Sequence, residues 1–298
     1  MSLETTLLGK KLKNPTILAS GVLGTTAASL VRISKQAGAV TTKSIGPEYR
    51  EGHKNPTVVE LDNGLINAVG LSSGGIEEGK QKILDYKNKT KVPIIASIYA
   101  SNPYEFAHVA EEISATKPDF IELNMSCPNV NSVPFAAKKD TASDVVSRVK
   151  EKTGIPLIAK LTPSVPDIAS IAKSCEDSGA SAITAVNTMP GMVIDIKVGR
   201  PVLANKSGGV SGSLIKPVAI RCVYQIYEAV DIPIIGVGGV STGKDAVEMI
   251  MAGASAVGIG SGVLKTVDVF SEVSSGISEF MKENGYKKLE DIRGVAHH

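Results

Sequence analysis

Cysteine is scarce in this 298-residue sequence, and its three occurrences lie far apart. Cys127, Cys175 and Cys222 show no paired spacing, which argues against a disulfide framework, a zinc site or an iron–sulfur cluster held within the chain. The four histidines likewise lack the spacing of metal ligands. No metal is therefore expected, and the dispersed thiols suit a reducing compartment.

Strong net charge and long apolar runs are missing as well. The formal net charge is +2 at pH 7, with lysines and arginines scattered among acidic residues, so the charge gives no reason to expect nucleic acid as a partner. No run of about 18 uncharged apolar residues occurs, and Met1 to Thr5 contain no basic targeting segment. We therefore expect a soluble, cytoplasmic protein without a membrane partner.

Short apolar segments alternate along the chain with segments of helical spacing. Continuous apolar character without strict alternation indicates strands that are buried on both faces of a parallel sheet. The eight such segments are Thr16 to Ser20, Ala39 to Ser44, Pro93 to Tyr99, Phe120 to Ser126, Pro156 to Thr162, Ala182 to Thr188, Pro233 to Gly239, and Ala256 to Gly262. Eight strand-and-helix units in a row predict an α/β fold of the TIM (β/α)8 barrel type, one domain over residues 1–298, with an open doubly wound sheet as the alternative.

A short N-terminal segment and three long loops complete this prediction. Glu4 to Asn14 has the pattern of a small hairpin, which we expect to close the bottom of the barrel. The long loops follow the second, fourth and sixth strands: Ile45 to about Gly75, Cys127 to Asp140, and Met189 to Ser213. Because the active sites of barrels lie at the carboxyl ends of the strands, these loops are expected to cover any ligand.

The segment from Asp119 to Asn129 passes from a buried strand to a cluster of polar groups. Strand alternation places Glu122, Asn124 and Ser126 on one face, and Cys127 begins the loop that follows. A thiol can act as a general base because its ordinary pKa of about 8.5 is lowered by suitable neighbours. Cys127 is therefore a candidate base, and a small buried apolar cysteine is the alternative.

Two lysines stand where an unpaired charge would be costly. Lys43 ends the second predicted strand, and Lys160 lies inside an apolar strand segment. An anion must meet Lys160. Glu122 on the neighbouring strand is one candidate, as a purely architectural ion pair, and a reduced cofactor that carries negative charge is the other. We favour the cofactor, because the working end of a barrel is where such a lysine is used.

Four asparagines fall at or just after a predicted strand end or in a predicted long loop. Asn67, Asn124, Asn129 and Asn187 offer donors and acceptors that suit a planar ligand such as a pyrimidine, although each alone could be a turn or cap residue.

Glycine-rich runs follow the seventh and eighth strands, at Gly236 to Val240 and Gly258 to Gly262. Barrels commonly bind phosphate at these positions through backbone N–H groups, to which Ser211 and Gly212 could add donors. Tight turns are the alternative.

Taken together, these segments resemble the dihydroorotate dehydrogenases, flavin enzymes of pyrimidine biosynthesis. The resemblance covers nearly the whole chain in order, and its most specific part is Asn124-Met125-Ser126-Cys127-Pro128-Asn129. The other matching segments are Ala19-Ser20-Gly21, Thr42-Lys43-Ser44, Asn67-Ala68-Val69-Gly70-Leu71, Lys160, Asn187-Thr188, Ser211-Gly212, Gly238-Gly239 and Gly260-Ser261.

The resemblance implies FMN in the mouth of the barrel, with dihydroorotate beside it. The implied cofactor-binding residues are Ala19, Ser20, Gly21, Lys43, Ser44, Asn124, Lys160, Val186, Gly212, Gly238, Gly239, Gly260 and Ser261. The implied substrate-binding residues are Lys43, Asn67, Val69, Gly70, Leu71, Asn124, Asn129, Asn187 and Thr188. The implied catalytic residues are Cys127, which would remove the proton from C5 while hydride leaves C6 for the flavin, and Lys160, which would stabilise the reduced ring.

Within the family, the cysteine at position 127 is similar to class 1, and Asn187 to Asp195 is most similar to its NAD-linked branch, class 1B. That branch pairs the FMN chain with a second subunit carrying FAD and a 2Fe–2S cluster, which implies a homodimer or a heterotetramer with such a subunit. Ser72-Ser73 and the segment Asn131-Ser132-Val133-Pro134 depart from that branch, which leaves the electron acceptor and the behaviour of the lid open. The alternatives are a related flavin enzyme acting on uracil or thymine, a flavin-free lyase with a Schiff-base lysine, and a non-catalytic binding barrel.

Overall fold

The computed structural model describes residues 3–125 and 135–298. The strands are, in chain order, β1 (Thr5–Leu7), β2 (Lys10–Leu12), β3 (Thr16–Leu18), β4 (Ala39–Thr41), β5 (Tyr49–Arg50), β6 (Val58–Leu61), β7 (Gly64–Asn67), β8 (Ser73–Gly74), β9 (Ile94–Ile98), β10 (Phe120–Asn124), β11 (Leu157–Leu161), β12 (Ala182–Ala185), β13 (Met189–Gly191), β14 (Ile194–Asp195), β15 (Arg200–Pro201), β16 (Gly208–Gly212), β17 (Ile234–Val237) and β18 (Ala256–Ile259). The α-helices are α1 (Ala27–Ser34), α2 (Gly75–Lys87), α3 (Pro103–Ser114), α4 (Lys139–Lys152), α5 (Ile168–Asp177), α6 (Lys216–Tyr227), α7 (Gly243–Met251) and α8 (Val269–Glu283).

Eight of the strands close into one parallel barrel in the order β10-β11-β12-β17-β18-β3-β4-β9. Each barrel strand is followed by one helix, from α1 after β3 to α8 after β18. The predicted TIM barrel is therefore confirmed, and the alternative of an open sheet is wrong. The register places Asn124 beside Lys160, and Lys160 beside Thr184, at the carboxyl ends of three adjacent strands.

Capping residues fix where several helices begin. The Asn102 side chain accepts a hydrogen bond from the backbone N–H of Glu105 at 2.9 Å, and Pro103 is the first residue of α3. The Asn102 side chain supplies an acceptor for one of the orphan N–H groups, and the first-turn proline pre-sets the helical backbone. Thr242 and Asp245 form a reciprocal capping box at the start of α7.

The N-terminal hairpin closes the amino end of the barrel. Strands β1 and β2 pair antiparallel, and the buried side chains of Leu7 and Leu12 point into the barrel interior. They form one apolar cluster with residues from the barrel strands: Ile17, Ala39, Ile95, Phe120, Ile158, Ala182, Ile235 and Ala256. The predicted hairpin at the bottom is thus confirmed.

Long loops follow β4 and β12, as predicted, and these two pair with each other, while much of the predicted loop after β10 lies outside the described residues. Strands β6 and β7 of the first loop join β13 and β16 of the third in an antiparallel sheet of order β13-β16-β7-β6. This sheet was not predicted, because its pairing joins residues about 140 positions apart, such as Asn67 and Gly209. In the described part of the chain, no helix has the length and apolar character needed to cross a bilayer.

Candidate active site

A buried ion pair lies at the centre of the barrel. Lys160 on β11 and Glu122 on β10 are 4% and 3% exposed, and Nζ of Lys160 lies 3.5 Å from Oε1 of Glu122. The same ammonium donates at 2.7 Å to the hydroxyl of Ser20, a residue that lies just after β3. The architectural partner considered for Lys160 is therefore present, and the lysine also contacts a residue predicted to line the flavin.

Glu122 has two further donors. The Ser97 hydroxyl donates to its Oε1 at 3.0 Å, and the Thr184 hydroxyl donates to its Oε2 at 3.2 Å. A buried carboxylate is costly unless its lone pairs are satisfied in this way. Ser97 and Thr184 are not predicted from the sequence, where their only signal is a single hydroxyl inside an otherwise apolar strand segment.

Two predicted asparagines meet beside this pair. Nδ2 of Asn124 donates to the Ser44 hydroxyl at 3.0 Å, and Nδ2 of Asn187 donates to Oδ1 of Asn124 at 3.1 Å. The backbone N–H of Thr188 donates to Oδ1 of Asn187 at 2.8 Å. Of the predicted polar residues, Ser44, Asn124, Asn187 and Thr188 are thus brought together. The predicted base Cys127 and Asn129 lie outside the described residues.

Lys43 lies at the rim, where Ser72 accepts a hydrogen bond from its ammonium. Burial lowers the pKa of Lys43 from its ordinary value, the nearby Lys82 lowers it further, and Glu78 acts in the opposite direction. A cavity of about 250 Å³ is lined by these residues together with Ser44. A half-buried ammonium whose charged form is disfavoured is well suited to meet an anionic ligand.

The segment that carries the other predicted substrate residues is held against the barrel. Gly70 and Leu71 both have positive φ, at 80° and 54°, and a non-glycine residue is strained there. The Tyr99 hydroxyl, at the end of the β9 segment, donates to the Leu71 carbonyl at 2.8 Å. Asn67 lies at the end of β7 and donates to the Gly209 carbonyl at 3.2 Å, so the sheet of the two long loops fixes its position.

The predicted phosphate-binding glycines form a surface of bare backbone. Gly212 and Gly239 have positive φ, and a Cβ on Gly239 would lie 3.0 Å from the Gly212 carbonyl oxygen. A Cβ on Gly260 would have only Ala19 nearby, 3.8 Å away, and one on Gly21 would have nothing within 4 Å. The backbone at Gly21 and Gly260 is thus open to a ligand, which fits a phosphate or a flat ring, whereas Gly212 and Gly239 are glycines because neighbouring atoms lie too close for a side chain.

The remaining predicted cofactor residues lie close to these glycines. Gly238 precedes Gly239 and has a φ of 139°. Ser261 begins a short 3₁₀ turn directly after Gly260. Val186 is buried and donates its backbone N–H to the Val237 carbonyl at 2.7 Å. The predicted substrate residue Val69 lies elsewhere, in the first long loop, where its carbonyl accepts from the backbone N–H of His53 at 3.0 Å.

Comparison with known proteins identifies the family. A family model described as Dihydroorotate dehydrogenase matches residues 2–281. The chain belongs to the dihydroorotate dehydrogenase family. It is 50% identical over 296 residues to a protein of Methanosarcina mazei, covering 98% of this chain and 94% of that protein. It is also 47% identical over 302 residues to one of Methanocaldococcus jannaschii (99% and 98% covered) and 46% identical over 298 residues to one of Pyrococcus abyssi (99% and 99%).

These three relatives carry the name dihydroorotate dehydrogenase B (NAD(+)), catalytic subunit. Members of this family oxidise dihydroorotate to orotate in pyrimidine biosynthesis with a flavin cofactor. The predictions of the family, of an oxidoreductase and of a flavin are therefore confirmed. The matches support dihydroorotate oxidation and not the alternative substrates uracil and thymine.

Proposed function

We propose that this chain is the catalytic subunit of an NAD-linked dihydroorotate dehydrogenase, in which residues 1–298 form one FMN-binding barrel domain. The observation that carries the proposal is the buried Lys160, which lies between Glu122 and Ser20 at the strand ends where the predicted flavin and substrate residues meet. The family match over residues 2–281 supports the same activity.

The residues present fit FMN. Backbone N–H groups around Gly212, Gly239, Gly260 and Ser261 would hold its phosphate, because glycines allow the backbone to approach an anion closely. Lys160 would lie at the polar edge of the ring and stabilise the negative charge that develops there. When bound, the flavin accepts the hydride that leaves C6 of dihydroorotate.

The polar residues at the rim would bind and activate the substrate. Asn124 and Asn187 orient the pyrimidine, while the ammonium of Lys43 faces an anionic group of the substrate. Cys127 removes the proton from C5, which the neighbouring carbonyl acidifies. This last role rests on the sequence, in which Cys127 follows Asn124 by three positions.

Anaerobic addition of dihydroorotate to the purified protein tests the proposal. We expect the absorption band of the flavin to bleach, and orotate to appear in equal amount. Uracil, thymine and their dihydro forms serve as controls and should leave the band unchanged. Release of the cofactor by denaturation, followed by mass spectrometry, should give FMN. A protein whose spectrum ignores dihydroorotate but responds to dihydrouracil would contradict the proposed substrate.

The proposal includes a separate partner subunit. The relatives named above are each called a catalytic subunit, which supports the existence of a second chain. We propose that this second subunit carries FAD and a 2Fe–2S cluster and passes electrons to NAD, in a heterotetramer built on a homodimer of the barrel chain. NADH formation that appears only after the partner is added would support this, and NADH formation by the isolated chain would contradict it. Location in the cytoplasm stays a prediction from the sequence.

A further inference from the structure

The hydrogen bonds around Glu122 have a direction that its chemistry fixes. An ionised carboxylate accepts hydrogen bonds and donates none. Ser97 therefore gives its single hydroxyl proton to Oε1 of Glu122, at 3.0 Å. The contact between the hydroxyls of Ser44 and Ser97, at 2.9 Å, must then be donated by Ser44.

The same reasoning fixes the amide of Asn124. Because the Ser44 proton points to Ser97, the Ser44 oxygen accepts from Asn124, and the Nδ2 of Asn124 must face it at 3.0 Å. Oδ1 of Asn124 is then the atom that accepts from Nδ2 of Asn187, at 3.1 Å. Every donor in this series of hydrogen bonds thus points the same way, from Asn187 through Asn124, Ser44 and Ser97 to Glu122.

We propose that Glu122 is a positioning residue that sets, through Ser97 and Ser44, the orientation in which Asn124 and Asn187 meet the ligand. The inference rests on the proposed function, in which both amides bind the substrate. In this orientation each amide nitrogen keeps a second N–H, so the pair offers donors to oxygen atoms of a ligand. A pyrimidine that carries carbonyl groups has the matching acceptors.

The residues that form this series of hydrogen bonds are all at least partly buried. Glu122, Ser97, Ser44 and Asn124 are all in the buried class, so water does not compete freely for their hydrogen bonds. A glutamine at position 122 would remove the constraint, because its amide can donate as well as accept. Ser97 and Ser44 could then reverse, and the amide of Asn124 could exchange its donor and acceptor positions.

One serine variant and one threonine variant distinguish this positioning role from the simple loss of a buried hydroxyl. Ser97→Ala interrupts the series of hydrogen bonds and leaves the contact between Glu122 and Lys160 in place. Thr184→Val is the matched control, because Thr184 donates to the other oxygen of the same carboxylate and takes no part in the series of hydrogen bonds from Asn187 to Glu122. The dissociation constant of orotate is measured on flavin-loaded protein from the change in the flavin spectrum. We expect Ser97→Ala and Glu122→Gln to raise it about tenfold, which one neutral hydrogen bond supports, and Thr184→Val to change it less than about twofold.

A second measurement reads the amide directly. The side-chain ¹⁵N–¹H signals of Asn124, assigned by their loss in Asn124→Asp, should exchange slowly with solvent in the wild type and in Thr184→Val. In Ser97→Ala they should exchange at least about tenfold faster, since the neighbouring hydrogen bond loses its fixed direction. Unchanged orotate affinity and unchanged exchange in Ser97→Ala, at full flavin content, would overturn the inference. A wild-type protein that ignores orotate would remove the proposed function instead, and the exchange rates would then decide the inference alone.

Discussion

The two ends of the barrel are built from the same strands and have opposite chemistry. At the amino end, Ile95, Phe120, Ile158 and Ala182 on four adjacent strands belong to one apolar cluster. Two positions further along each of these strands, the side chains are those of Ser97, Glu122, Lys160 and Thr184, which are linked by hydrogen bonds. Two residues of a strand span about 6.5 Å, and they point to the same face of the sheet.

This difference separates stability from chemistry within single strands. The apolar layer and the hairpin residues Leu7 and Leu12 gain free energy by leaving water. The polar layer has to be satisfied group by group, because a buried polar or charged group without a partner is costly. Substitutions at the amino end should therefore change the free energy of unfolding, whereas removal of a carboxyl-end group that contacts or positions the ligand should change binding and rate.

The largest effect is expected for Cys127→Ala, three positions after the last residue of β10 in the sequence. Removal of a general base slows proton transfer by about 10²- to 10⁴-fold. We expect reduction of the flavin by dihydroorotate to slow by this factor, while flavin content and the unfolding midpoint stay at the wild-type values. Anaerobic stopped-flow spectroscopy measures the rate. A Cys127→Ala protein of full activity would refute the assigned base.

Leu12→Ala at the amino end should show the opposite behaviour. Leu12 is fully buried in the apolar cluster, and removal of a buried leucine side chain costs about 2–5 kcal/mol. We expect urea unfolding to show a loss in this range, with the turnover per folded molecule unchanged. The matched control is Leu84→Ala, at a position that is 44% exposed, where the loss should stay below about 1 kcal/mol. Equal losses in the two variants would contradict the assignment of the hairpin as the barrel's closure.

Gly239→Ala should affect both properties, because backbone conformation serves the ligand here. Gly239 has a φ of 77°, and a Cβ would lie 2.6 Å from Cβ of Lys216. Left-handed backbone costs a non-glycine residue about 1–2 kcal/mol. The shift of backbone needed to relieve the contact should weaken flavin binding about tenfold, as measured by flavin release on dilution.

Gly285→Ala is the control for that variant. Gly285 has a nearly equal φ of 75°, but a Cβ there would have nothing within 4 Å, and the residue follows α8. It should lose a comparable amount of stability and retain the wild-type affinity for the flavin. Weaker flavin binding in both variants would show that the effect of Gly239→Ala is only general destabilisation.

The sequence predicts the barrel well because its signals are local. Buried parallel strands show as continuous apolar runs, and caps such as Asn102-Pro103 mark helix starts. The strand boundaries were less accurate: the sixth segment was predicted to reach Thr188, whereas β12 ends at Ala185. The backbone beyond that point still follows its neighbours, since the Asn187 N–H donates to the Leu161 carbonyl at 2.9 Å, so the apolar pattern continues past the regular strand.

The candidate site was predictable only where a residue type is unusual for its place. A lysine inside an apolar strand and asparagines after strand ends stand out, so Lys160, Asn124 and Asn187 were found. Ser97 and Thr184 were missed because a small hydroxyl in a buried strand has an ordinary structural explanation. Their partners come from other strands, and only the closed barrel brings these hydroxyls to the carboxylate of Glu122. The pairing of the two long loops is equally non-local and left no trace in either loop alone.

The smallest effect on stability is expected for Lys43→Met in the absence of substrate, because this variant removes a half-buried charge at the polar end. Burial lowers the pKa of Lys43, so between that lowered pKa and the ordinary value of 10.5 the unfolded chain binds more protons. Wild-type stability therefore rises with pH through this window, and below it the charged Lys43 destabilises the protein. Without orotate, Lys43→Met should be more stable at neutral pH by less than about 1 kcal/mol, since Lys43 is only half-buried and solvent screens it. The gain should vanish as the pH approaches 10.5, as measured by urea midpoints. Lys91→Met, at an exposed position, is the control and should show no such trend, whereas a loss of stability in Lys43→Met at neutral pH would contradict the prediction.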